Sequence, residues 1–253
     1  MLTLTAGTIF IMWLGEQITD RGIGNGMSLI ITASIISRAP NALTSSWLLF
    51  SPLDPEKRTL PLGLLLVMLA LLVFVIAAII LVTQAQRQIP VQYAKRVVGR
   101  RILGGTRTYI PLRVNQAGVI PIIFASAILM IPSQIAQFVP AFSSLTSYLA
   151  PGGLIYLFLE VLAIIFFAYF YTALTFNPID VADNMRKYGG FIPGIRPGKN
   201  TAEFLDRVMT RITLPGAIFL AVIAILPTLI TGKLQIDFDI AQFFGGTSLL
   251  ILV

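Results

Sequence analysis

Uncharged apolar runs, broken by short clusters of charge, glycine and proline, divide this chain of 253 residues. A bilayer core about 30 Å thick takes about 20 apolar residues as a helix, so runs of that length are expected spans. The clearest lies between Arg58 and Arg87, centred on "LGLLLVMLALLVFVIAAIILV". A second uncharged region, residues 114–159, is too long for one helix. Polar "SSLTS" and "PGG" divide it, which predicts spans near 117–139 and 154–176. "ITLPGAIFLAVIAILPTLITG", residues 212–232, predicts another, with Pro215 near its start, where a helix tolerates proline. Residues 27–49 make a poorer candidate, interrupted by Arg38 and Pro40 and better placed among other helices than against lipid. The two ends, residues 2–14 and "GGTSLLILV", are each about half a span by the length rule. The chain therefore reads as a piece of a larger all-α, polytopic transmembrane bundle, truncated at both ends, with residues 1–253 forming one membrane domain.

Composition supports that reading. Hydrophobic residues make up 56% of the chain and charged residues 11%, against about 25% charged in a soluble domain. There is no cysteine and no histidine, which excludes disulfides, thiolate chemistry, His-ligated metals and histidine bases. No metal site or cofactor is expected. The net charge of +7 is unevenly placed: residues 83–115 hold seven Lys and Arg and no acid, residues 177–211 hold six, and residues 140–153 hold none. The excess of cations orients both basic loops, about 84–115 and 177–211, towards the cytoplasm, together with the turn at about 15–26. No signal-peptide pattern opens the chain. Topology alone accounts for most of these cations, but it does not explain why the loops are long and rich in turn residues.

The second basic loop contains "GGFIPGIRPG", residues 189–198. Pro193 and Pro197 fix φ while Gly194 and Gly198 permit tight turns, so Arg196 stands on a stiff loop tip with little entropy left to lose on binding. Arginine suits both phosphate and carboxylate partners. No Walker-type glycine loop is present, so any energy source lies in a partner. Glu160 is the one acid well inside a span, and an intramembrane carboxylate is a functional hypothesis by default. With no His, Lys or second acid near it in the spans, the evidence for a proton relay is thin. Its place seven residues past Gly153 suits an interfacial position.

"GEQITDRGIGNG", "YAKRVVGRR", "NQAGVIPIIFAS", "FNPIDVADNMRKYGGFIPGIRPG" and "FGGTSLLI" occur here in that order. Together they resemble the SecY family, channel subunits of the bacterial Sec protein translocase. The resemblance covers essentially the whole chain and aligns it with the second half of the family's fourth helix through the first turns of its tenth. It implies a passive pore in the inner cell membrane that translocates unfolded preproteins and inserts membrane proteins, with SecE, SecG, SecA, the ribosome, signal sequences and membrane lipids as partners and no role for DNA. The family's apolar pore ring falls on Met27 and Ile31 of its fifth helix, Ile123 of its seventh and Ile251 of its tenth. An apolar constriction dewets when empty and yields when filled. Met27 departs from isoleucine, which keeps the position apolar and makes it more deformable. The resemblance implies that the seventh helix moves as one side of the lateral gate, and Pro121 and Pro132 are its candidate hinge residues. Arg100, Arg101, Lys187 and Arg196 match positions that receive SecA and the ribosome, the latter through contacts that salt would weaken. Two other functions compete. An ion-coupled secondary transporter would also have broken helices and an intramembrane Glu. An intramembrane enzyme lacks paired carboxylates and metal-ligand spacing here.

Overall fold

The structure is a computed structural model that describes residues 2–22, 24–50, 62–93, 96–98, 101–103, 107–138 and 152–234. Helices dominate: α1 (Leu2–Arg21), α2 (Gly26–Phe50), α3 (Leu62–Gln84), α4 (Ile120–Phe138), α5 (Leu154–Thr175), α6 (Pro178–Lys187) and α7 (Lys199–Leu234). Among the described residues, three segments are long and apolar enough to cross a membrane: Leu66–Gln84, and parts of Leu154–Lys187 and of Lys199–Thr231. Gly26–Ser37 and Ile120–Pro132 are shorter apolar helices. The chain divides into two compact units, residues 1–77 with 226–253 and residues 78–225.

In the first unit, α1 and α2 cross at a glycine pair. A Cβ on Gly26 would overlap the carbonyl oxygen of Gly15, and a Cβ on Gly15 would lie 2.5 Å from Met27 Sδ. Two hydroxyl bonds lock the crossing: Gly26 N–H donates to Thr19 Oγ1 at 2.9 Å, and that hydroxyl donates to the Gly15 carbonyl at 2.9 Å. Asn25 Oδ1 then caps α2 by accepting from Met27 N and Ser28 N. The polar stretch that was expected to end a half-span therefore continues α1 to Arg21 and builds the turn. Likewise α2 runs through Pro40 without a break, and one turn on Thr44 Oγ1 donates to the Pro40 carbonyl at 3.0 Å.

In the second unit, α4 and α5 pack along one another. The buried face of α5 is Glu160, Ile164, Ala168 and Thr172, spaced by four as one helical stripe requires. Ile122, Ala125 and Leu129 are buried on α4, and Phe124 stacks on Phe167 at 5.6 Å. Leu162, Phe166, Phe170 and Leu174 point outward from α5, apolar side chains that lipid accommodates without cost.

Among their described residues, the two basic segments hold regular secondary structure. Residues 86–113 hold an antiparallel pair, β1 (Gln86–Tyr93) with β4 (Arg107–Arg113), in register from Gln86↔Arg113 to Gln92↔Arg107, with a short pair β2 (Arg96–Val98) and β3 (Arg101–Leu103) between them. Between α6 and α7, β5 (Gly190–Phe191) adds to β1 and gives the sheet order β4-β1-β5. Alternation puts Ile89 and Val91 on the inner face of β1. They pack in one cluster with Leu112, Met185, Ile192, Leu205, Val208, Met209 and Ile212. α7 begins thirteen residues before the apolar run because its polar first turns carry this apolar stripe, 205–208–209–212, which answers the sheet instead of lipid. α7 also approaches the end of the hairpin closely, since a Cβ on Gly216 would lie 2.6 Å from the Val114 carbonyl oxygen.

Candidate functional site

The core cluster carries the loop that holds Arg196. Asn177 caps α6 by accepting from Ile179 N at 3.1 Å, with Pro178 opening the helix and Arg186 and Lys187 in its last turn, where cations suit the negative end of the helix dipole. Gly189 at φ +71° reverses the chain into β5. A Cβ on Gly190 would lie 3.0 Å from the Tyr93 ring, so a side chain there would require the ring to shift by a few tenths of an ångström. Ile192 is buried in the cluster and Ile195 packs against it. Between them Pro193 and Gly194, at φ +84°, form a tight turn closed by Ile195 N donating to the Ile192 carbonyl at 3.1 Å.

Arg196 follows this anchor directly and is exposed. Its carbonyl accepts from the Thr201 hydroxyl at 3.0 Å, and Thr201 is almost fully buried, 1% exposed. Gly198, at φ +100°, starts α7 by accepting from Thr201 N and Ala202 N. The tip is thus held on both sides by buried groups, while its guanidinium is exposed and makes no ion pair among the described residues. Lys187 is exposed at the end of α6. Arg101 opens β3, and Arg100 lies outside the described residues.

The candidate pore positions fall on two helices. Met27 and Ile31 share one face in the first turns of α2, Met27 exposed and Ile31 half-buried. Ile123 stands in the first turn of α4, 38% exposed. Its neighbours Pro121, Ile122 and Ala125 are buried, so Ile123 points off the buried stripe of α4. Ile251 lies outside the described residues. Of the two prolines, Pro121 is the second residue of α4, where no intrahelical bond is lost. Pro132 stands inside the helix and does remove one. Glu160 is buried, 8% exposed, and its Oε2 has no hydrogen-bond partner among the described residues. The residues that sequence reasoning passed over are Thr19, Asn25, Thr201 and Gly216, common types whose role lies in what they touch. Only Asn25, followed by an apolar run, carries a helix-start signal.

The family profile described as SecY matches residues 1–253, the whole chain. The chain belongs to the SecY family. It is 50% identical over 269 residues to the protein translocase subunit SecY of Streptomyces galbus, covering 100% of this chain and 57% of that protein. To the SecY subunit of Thermotoga maritima it is 46% identical over 252 residues, covering 100% and 55%, and to that of Chlamydia muridarum 46% over 257 residues, covering 100% and 56%. The chain spans a little over half the length of these SecY relatives. A solved structure of a protein-conducting channel superposes with a TM-score of 0.58 at 18% identity, covering 97% of this chain and 60% of that one. Another, of a SecY protein studied for the plug domain that stabilises its closed state, gives 0.58 at 20% identity. At such identities the superpositions show the fold, a SecY-like helical membrane architecture.

Proposed function

We propose that this chain forms a large part of the pore subunit of a Sec protein-conducting channel in the inner cell membrane, carrying unfolded preproteins across and signal sequences sideways into lipid. The observation that carries this reading is the Arg196 loop: an exposed arginine on a tip fixed by buried Ile192 and Thr201 and half-buried Ile195. A pore lined by apolar residues does no work, so a motor or a translating ribosome must push the chain. A rigid cationic tip suits such docking because little entropy is lost when it binds. In this reading the hairpin and the Arg196 loop face the cytoplasm, where they meet SecA and the ribosome, with Arg100, Arg101 and Lys187 adding charge. SecE and SecG complete the complex. Met27, Ile31, Ile123 and Ile251 supply the apolar constriction, which dewets when empty, and Pro132 lets α4 bend as the gate opens, with Pro121 setting its start. The ion-coupled transporter alternative draws no support from the SecY family.

The test uses the full-length protein that contains this sequence, reconstituted with SecE and SecG in vesicles. SecA and ATP should make a radiolabelled precursor resistant to added protease. Sodium- or proton-driven solute uptake without SecA, in place of that protection, would contradict the reading.

A further inference from the structure

Among the described residues, Thr201 is the one polar residue among the largest fully buried side chains. Valine, its apolar isostere, would fill the same buried place in the first turn of α7. Its hydroxyl is instead spent outside the helix, donating at 3.0 Å to the carbonyl of Arg196 five residues earlier. No other side-chain hydrogen bond to the segment 192–198 occurs among the described residues. The preceding turn leaves the chain at Ile195, and the helix takes it up again at Gly198. Without the Thr201 bond, Arg196 and Pro197 would bridge those two points with no hydrogen bond to either.

We propose that Thr201 is a positioning residue for partner docking, which acts by fixing the Arg196 backbone and so aiming its guanidinium. This rests on the docking function proposed for Arg196. A hydrogen bond to a buried donor contributes about 1 kcal/mol net, which as an equilibrium is about fivefold. It also requires a cation whose direction, not only charge, matters to the partner.

The experiment uses the full-length channel with SecE and SecG in vesicles, carrying Thr201→Val, Thr201→Ala, Thr201→Ser or Arg196→Glu. Two quantities are read: amide hydrogen exchange at Ile195, Thr201 and Ala202, whose N–H groups close the two ends of the tip, and the SecA concentration that gives half-maximal precursor translocation. Valine and alanine should each speed exchange and raise the half-maximal SecA concentration about fivefold, leaving the maximal rate and membrane abundance unchanged, while serine restores both quantities. Unchanged exchange in the valine and alanine variants would overturn the proposal, since the hydroxyl would not be holding the tip. Faster exchange with an unchanged SecA requirement, while Arg196→Glu does raise it, would overturn the positioning role and leave the docking function standing. If Arg196→Glu itself leaves the requirement unchanged, the docking function fails and the positioning role fails with it.

Discussion

Leu205→Ala should loosen the hairpin module and leave the membrane helices in place. Leu205 is 0% exposed and lies in the cluster with Ile89, Val91, Leu112 and Met185, so its truncation leaves a cavity bounded by the sheet on one side and α7 on the other. Burial in such a cluster draws on the hydrophobic effect, which lipid-facing contacts between spans lack. A buried Leu→Ala change costs about 2–5 kcal/mol. At 1.36 kcal/mol per tenfold, this corresponds to about 30-fold to several-thousand-fold faster opening of the module. The assay is amide hydrogen exchange by mass spectrometry on the full-length protein in lipid nanodiscs, following peptides from 86–93, 107–113 and 160–172. The first two should exchange faster by that factor and the third should not change. A companion Leu162→Ala, on the outward face of α5, should change none of them. Equal acceleration in the α5 peptide, or none in the strands, would refute the idea that this cluster is a separate cooperative core.

Gly26→Ala forces a methyl group into the Gly15 carbonyl at the α1–α2 crossing. Overpacking of this kind costs about 1–3 kcal/mol, so the full-length protein in detergent should denature at lower temperature, and a midpoint equal to the parent's would count against the crossing. Ile123→Asn in the full-length channel should raise resting ion conductance in planar bilayers, because a polar side chain in a dry constriction favours wetting. Unchanged conductance would remove Ile123 from the constriction.

The membrane-spanning part of the fold was legible because length and hydropathy alone define a span: the expected spans between Arg58 and Arg87 and at 154–176 correspond to α3 and α5 within a few residues, while the one expected at 117–139 is met among the described residues by a shorter apolar helix, Ile120–Pro132. The basic segments were legible as charged and stiff but not as a sheet. Pro90 and Pro111 sit inside β1 and β4, and proline argues against a strand; here the alternation of Ile89 and Val91 against α7 outweighs it. The start of α7 was hidden for a related reason. Charge ended the apolar run at residue 212, whereas the helix is held from Lys199 onward by a stripe visible only once its partner sheet is known. Arg196 could be singled out from Pro and Gly spacing, because those residues restrict backbone angles wherever they occur. Thr201 could not, since a threonine in a helix's first turn ordinarily bonds within that turn, and its bond to Arg196 exists only because the loop folds back over it.

The central claim is that Arg196 is a preorganised docking group and not merely one more topology-setting cation. Its most direct test is Arg196→Glu in the full-length protein, with membrane abundance and SecA-driven translocation measured side by side. An exposed substitution ordinarily shifts stability by about 0.5 kcal/mol or less, and five other cations remain in residues 177–211 to hold orientation. Loss of a charged interface contact commonly costs about 2 kcal/mol or more, about 30-fold in the partner-dependent step. The account predicts normal abundance with that step failing. Normal abundance with normal translocation would contradict it.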